Sequence, residues 1–211
     1  MKISIIGAGN GGQAMAGHFA ILGHKVTLYN RSRDRISNII NTASIELQDA
    51  ICGIGKIDCI TTDISKAVKA ADLIMITTTA DAHAEIACLM APYVEEGQCI
   101  VLNPGRTLGA IEFSNLLRKK TTKCVYIAEA QSLIYACRAV KAGQVKVIGV
   151  KDKVLLAAYP AVDTDYVLHL INSVYPCFIK ANNVLETSLE NIGAIFHPSV
   201  VLFNAATIER G

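Results

Sequence analysis

Gly7, Gly9 and Gly12 stand at the spacing G-x-G-x-x-G, after an apolar β-branched run (3–6) and before a helix-like run (13–22). Each glycine meets a physical need of a phosphate-binding turn. Gly7 permits the tight exit from a strand, Gly9 lets a pyrophosphate approach the backbone, and Gly12 lets the helix pack close to the strand. Asn10 and Gly11 complete the turn, and phosphates would rest on the free N–H groups and positive dipole end of the helix. A second strand at 25–29 follows on schedule, so the segment reads as a βαβ unit that binds a dinucleotide. The plainer alternative is an ordinary glycine-rich βα turn.

The end of that second strand bears on which dinucleotide. NAD-selective sites usually place Asp or Glu there, about 20 residues past the glycines, to bond the ribose 2′-hydroxyl. Here the strand runs into Asn30, Arg31, Ser32 and Arg33. With no carboxylate to repel a 2′-phosphate and two guanidinium groups to bind one, NADP is expected in preference to NAD. The competing reading is a solvated pair of loop arginines.

Other candidates lie at the carboxyl ends of later strands, the edge where ligands bind in open α/β sheets. Thr78, Thr79 and Ala80 follow a buried strand-like run (73–76) and are candidates for the central ribose, or form a simple turn. His83 points at the cofactor or caps its helix. Asn103, before Pro104 and Gly105, touches the nicotinamide ribose or caps a loop. Arg138 is a candidate for a substrate carboxylate, or braces a linker, and Glu129 with Arg138 reads as an internal ion pair. Near the end stand Asn191, His197, Pro198 and Asn204. Pro198 bends or interrupts a helix, and a histidine beside such a bend can face a cleft. Histidine suits acid–base work because it changes charge near neutrality; the competing reading is a hydrogen-bonded core histidine. No Cys/His spacing suggests a metal site.

These residues need a scaffold, and the composition supplies one. The chain has 211 residues, 52% hydrophobic and only 18% charged, which suits a parallel sheet covered on both faces. Strand-like and helix-like segments alternate: helix 34–41, an excursion of short strands 43–60, helix 63–71, strand 73–76, helix 82–91, strand 99–102, helix 108–119 and strand 125–128. Beyond these come strand-like runs 133–140 and 145–150, helix 166–174, a closing strand 177–180 and one long helical pattern 187–209. The expected fold is a Rossmann-type, doubly wound, mostly parallel α/β sheet over 1–181. Residues 182–211 would begin an all-α second domain serving substrate binding or dimerisation.

Net charge is +2, too small to suggest nucleic acid as a partner. No apolar run reaches about 20 residues, so no membrane span is expected. A strand starting at Lys2 predicts no cleaved leader. Seven irregularly spaced cysteines, with Cys99, Cys124 and Cys137 read as core residues, predict a reducing, cytoplasmic setting.

The motifs together resemble the opine dehydrogenase family, which includes octopine and nopaline dehydrogenases. The opening Ile-Gly-Ala-Gly-Asn-Gly-Gly-Gln-Ala, Gly23-His24, the block at 80–87, Asn103-Pro104-Gly105-Arg106-Thr107, the run 129–138, and Thr187 to Gly193 with His197-Pro198 and Asn204-Ala205 all carry the likeness. The resemblance implies an NADP- or NAD-dependent oxidoreductase acting on CH–NH donors. Its substrates would be a 2-oxo acid and an amine, joined as an imine that is then reduced. It implies that His197 is the catalytic acid–base residue, paired in the family with an aspartate later in the chain, and it leaves a homodimer open. Family members continue for well over a hundred residues past this helix, so the chain resembles an amino-terminal portion, truncated or naturally short. Two other readings stay open. One is a ketopantoate- or hydroxy-acid-type reductase, which commonly uses a linking-helix lysine; here Lys180 lies before that helix and His197 within it. The other is a nucleotide-sensing module without chemistry.

Overall fold

The structure is a computed structural model, and it describes residues 1–190 and 192–208. In chain order the elements are β1 (Lys2–Ile6), α1 (Asn10–Ile21), β2 (Lys25–Tyr29), α2 (Ser37–Thr42), β3 (Ser44–Asp49), β4 (Gly53–Lys56), β5 (Cys59–Thr61) and α3 (Ile64–Val68). Next come β6 (Leu73–Ile76), α4 (His83–Met90), β7 (Cys99–Leu102), α5 (Gly109–Arg118), β8 (Tyr126–Ala130), β9 (Tyr135–Lys141) and β10 (Gln144–Val150). β11 (Val154–Ala158), α6 (Thr164–Asn172), β12 (Phe178–Lys180), α7 (Val184–Leu189), α8 (Ile192–Phe203) and α9 (Ala205–Ile208) complete the described chain. Short 3₁₀ turns at Asp34–Ile36, Ala80–Ala82 and Ala161–Asp163 lead into α2, α4 and α6.

The main sheet has the order β12-β11-β8-β7-β6-β1-β2-β5. Pairing is parallel throughout except where β11 meets β8. Its central strands are apolar on both sides, as a sheet covered by helices on both faces requires. Ile3, Ile5, Leu73, Met75 and Val101 join one core with Met15 and Phe19 of α1 and Val167 and Ile171 of α6. The alternate residues Ile6, Ile74, Ile76, Ile100 and Leu102 join a second core with Ile86 and Met90 of α4 and Phe113 and Leu117 of α5. This is the expected Rossmann-type, doubly wound architecture.

A second sheet, β4-β3-β10-β9, was not legible in the separate strand-like runs. It closes over α1 from the side opposite the main sheet. Gly17 lies against Ile45 and Leu47, and a Cβ on Gly55 would stand 2.3 Å from the Gly17 carbonyl oxygen. With a sheet on each side, α1 is buried from Gly12 to Phe19, which explains why that helix lacks a polar face. β5, read as part of the excursion, instead extends the main sheet beside β2. β11 lies in a stretch to which the sequence reading assigned no strand. Cys99 is buried, whereas Cys124 is exposed and Cys137 only partly covered; Cys124 precedes β8 rather than lying in it.

The carboxyl-terminal pattern also differs from one long helix. α7 is capped by Asn183, whose Oδ1 accepts the Leu185 and Glu186 N–H groups. It ends at Leu189, and α8 begins at Ile192. Asn191, Glu209, Arg210 and Gly211 lie outside the described residues. Pro198 sits inside α8 without ending it. α8 ends at Phe203, where the Asn204 side chain donates back to the Val200 carbonyl at 2.9 Å, a local bond that competes with helix continuation. Leu189, Phe196, Val200 and Phe203 are exposed. No helix among the described residues is long and apolar enough to cross a membrane.

Candidate functional site

The strand order reverses between β1 and β6, and the glycine turn opens there, at the carboxyl edge of the sheet. Gly7 has φ +109°, a conformation that side chains disfavour. A Cβ on Gly12 would stand 1.8 Å from the Gly7 carbonyl oxygen, so only glycine lets α1 start this close to β1. A Cβ on Gly9 would meet nothing within 4 Å: the space above Gly9 is open where a phosphate would approach. The first intrahelical bond of α1 runs from Gln13 N–H to Gly9 C=O at 3.0 Å, so the N–H groups of Asn10, Gly11 and Gly12 precede the ladder and form an anion-binding helix end.

A cleft of about 510 Å³ extends from this turn, between the end of β2 and the start of α4. Gly7, Gly9, Asn30, Arg31, Thr78 and Thr79 line it as expected. Thr77, Arg35 and Glu85 line it as well, and the sequence reading did not single them out. Arg35 reaches the cleft because the chain enters the 3₁₀ turn at Asp34; Arg33, the second cation expected there, is not among the lining residues. A neighbouring hollow shares Ala8, Gly9 and Arg35 with it and adds Asn10 and, from β9, Lys141. Only the second sheet brings Lys141 to the turn.

Several residues at the turn also hold its shape. Asn30 Oδ1 accepts the Ala8 N–H at 3.1 Å while its amide donates to Ser32 C=O at 2.8 Å, so its side chain shapes the cleft wall. Asn10 Oδ1 accepts the Ala139 N–H at 3.0 Å and ties α1 to β9. Gly11 leaves room for Leu133, whose Cδ2 would lie 2.7 Å from a Cβ there. Thr77 donates to the Ile6 and Gly7 carbonyls, at 3.1 and 3.0 Å. Ala80 begins the 3₁₀ turn before α4 and is not a lining residue.

Two buried polar atoms remain without a hydrogen-bond partner among the described residues at the carboxyl ends of β6 and β7: Thr78 Oγ1 and Asn103 Oδ1. Asn103 is fully buried and donates only a long 3.3 Å bond to Ser132 C=O. Unpaired buried acceptors are rare, and these two sit where a ligand's hydroxyl or amide could pair with them. Together with the open space at Gly9 and the free helix N–H groups, they fit a dinucleotide.

Two candidates stand outside the cleft, and one expected ion pair does not form. His83 is buried beside Gly109 of α5, with Nδ1 3.4 Å from where a Gly109 Cβ would lie. It does not line the cleft, its Nε2 is buried without a hydrogen-bond partner among the described residues, and burial pushes its pKa below the ordinary value. Arg138 is exposed on β9, on the alternate face to Tyr135, Cys137 and Ala139, which pack toward the core; it points away from the turn. Glu129 does not pair with Arg138, because β8 and β9 belong to different sheets. Its buried carboxylate accepts Ala110 N–H at 2.8 Å, Thr187 Oγ–H at 2.6 Å and Ser188 Oγ–H at 2.7 Å. Burial raises the Glu129 pKa against the pull of those three donors. His197 lies on α8 and is exposed.

Residues 2–132 match the family described as the NAD binding domain of 6-phosphogluconate dehydrogenase. The chain belongs to that family. This NAD(P)-binding domain is 40% identical over 209 residues to an opine dehydrogenase of Arthrobacter sp. (strain 1C), covering 99% of this chain and 58% of the relative. It resembles a solved structure of octopine dehydrogenase in complex with NADH and agmatine, at 25% identity and TM-score 0.74, covering 89% of this chain and 50% of that one. Yersinopine dehydrogenase with NADP+ bound shares the fold at 16% identity and TM-score 0.78, over 96% of this chain and 52% of that one. The chain spans between 50% and 58% of the length of these relatives.

Proposed function

We propose that the chain is the cofactor-binding portion of an NAD(P)H-dependent opine-type dehydrogenase, which reduces the imine formed between a 2-oxo acid and an amine. The observation that carries this reading is the 40% identity to an opine dehydrogenase along 99% of the chain. The NADH and agmatine bound by octopine dehydrogenase are in keeping with it.

In this reading the nicotinamide, when bound, supplies the hydride. The chain's own residues bind and orient. The N–H groups at the start of α1 hold the pyrophosphate, with Gly9 leaving the approach open. Arg31 and Arg35 face the adenosine end and favour a 2′-phosphate, so NADPH is the preferred form and NADH the second. Thr78 and Asn103 present their unpaired oxygens to the ribose and nicotinamide end. His197 donates a proton as water leaves the carbinolamine and accepts one in the reverse direction. Residues 1–181 form the dinucleotide domain, and 182–211 lead into the part that completes the substrate site.

NAD(P)H oxidation measured with pyruvate and a panel of amino acids tests the reading. The chain should be assayed as it stands and joined to the second half of the Arthrobacter relative. Oxidation that requires both the oxo acid and the amine is expected of the joined form. Oxidation with an oxo acid alone would move the assignment to a hydroxy-acid or ketopantoate type. Cofactor binding without turnover in the joined form would leave a sensing module.

A further inference from the structure

The end of β2 lacks the carboxylate that usually receives the ribose 2′-hydroxyl, but the fold brings one to the same place from another element. Glu85, in the first turn of α4, reaches across the cleft, and its Oε2 lies 2.6 Å from Arg31 Nη1. Among the described residues lining the cleft it is the sole carboxylate. The two side chains are 47% and 73% exposed. An exposed ion pair is close to energetically neutral, so a ligand can open it at small cost. The pair lines the same cleft as Asn30 and Ser32, which stand where the strand-end acid usually does.

We propose that Glu85 is the ribose-reading carboxylate of this protein and sets its balance between NADH and NADPH. With NADH, Glu85 accepts the 2′-hydroxyl while Arg31 neutralises its charge. With NADPH, Arg31 leaves Glu85 for the 2′-phosphate, and the freed carboxylate opposes that phosphate. Glu85 therefore narrows the NADPH preference that Arg31 and Arg35 alone would produce, and the protein uses both forms. Related folds carrying NADH in one protein and NADP+ in another show that the fold itself does not make this choice. The inference rests on reading the cleft as a dinucleotide site.

Calorimetric titration of the chain with NADH and with NADPH, at low and high salt, tests it without recourse to turnover. Glu85→Gln should weaken NADH binding and strengthen NADPH binding, shifting the ratio of the two Kd values about tenfold toward NADPH. Arg31→Ala should weaken NADPH several-fold more than NADH, and added salt should shrink that difference. Because the pair is exposed, both variants should melt like the wild type. A Kd ratio in Glu85→Gln that stays within about twofold of the wild type, with both nucleotides still binding, would overturn the role of Glu85 and leave the dinucleotide reading intact. Failure of the wild-type chain to bind either nucleotide would overturn both.

Discussion

At the scale of single residues, two glycines with different purposes sit three positions apart in sequence. Gly12 serves the packing of α1, and Gly9, in the proposed reading, serves binding. A Cβ at position 12 would overlap the Gly7 carbonyl oxygen at 1.8 Å, so Gly12→Ala should push α1 off the sheet and lower the denaturation midpoint sharply. At position 9 a side chain enters open space. Gly9→Val should therefore fold with a near-normal melting curve and lose NADH and NADPH binding in calorimetry. Normal affinity in Gly9→Val would show that the phosphates do not pass over this turn. His197 makes a different prediction, because it stands on an exposed stretch of α8 and not in the cleft. In a form carrying the second half, His197→Asn should cut turnover by about 10²- to 10⁴-fold, the usual contribution of an acid–base group. NAD(P)H affinity should not change, since the substitution leaves the cleft intact. Near-normal turnover would remove His197 from the chemistry.

At the scale of elements, Glu129 joins three pieces of structure that the sequence separates widely. From β8 it receives the Ala110 N–H at the start of α5 and the hydroxyls of Thr187 and Ser188 on α7. Ser188 Oγ also accepts the Leu108 N–H at 2.8 Å, so the loop entering α5 and the helix leading to α8 share one anchor. Glu129→Ala would leave a buried N–H and two hydroxyls without their acceptor and should cost about 3 kcal/mol in chemical denaturation. Glu129→Gln keeps the volume and should lose less. The two differ in pH dependence from the wild type as well. A carboxyl whose folded pKa is raised binds more protons in the folded state, so its stabilisation is present at low pH and is lost as pH rises from the ordinary value of 4.5 through the raised one. Glu129→Gln should flatten that part of the stability profile; an unchanged slope would mean that Glu129 is not the group responsible.

For the whole molecule, burial of two histidines acts in the opposite direction. His18 lies between the two sheets, its Nδ1 2.9 Å from Tyr135 Oη, and His83 lies between α4 and α5. Desolvation pushes both below the ordinary histidine value of 6.5. The unfolded chain then binds more protons than the folded one from pH 6.5 down to the lowered values. Stability is full above 6.5 and falls as pH drops through that window. Urea midpoints should be lower at about pH 5.5 than at about pH 7.5, and a His18→Gln, His83→Gln variant should show a smaller difference. A wild-type midpoint that holds or rises on acidification would contradict the assignment.

The sequence by itself determined the glycine turn, the parallel α/β alternation and the resemblance to opine dehydrogenases, because each depends on local spacing. A G-x-G-x-x-G between a β-branched run and a helix leaves few backbone solutions, and strands apolar on both faces require helices on both sides. Contacts between distant segments were decided only by the tertiary structure. β3 pairs with β10 across about a hundred residues and so joins the β3–β4 and β9–β10 hairpins, which no local pattern encodes, and that second sheet is what buries α1 and brings Lys141 to the glycine turn. Glu129 found Thr187 and Ser188 in place of Arg138 because neighbouring strands in sequence went to different sheets. Glu85 lies 54 residues from Arg31, so the carboxylate that seemed missing at the end of β2 could be seen only once α4 was folded across the cleft. Periodicity specifies which face of an element is buried; it does not specify which distant side chain will meet that face.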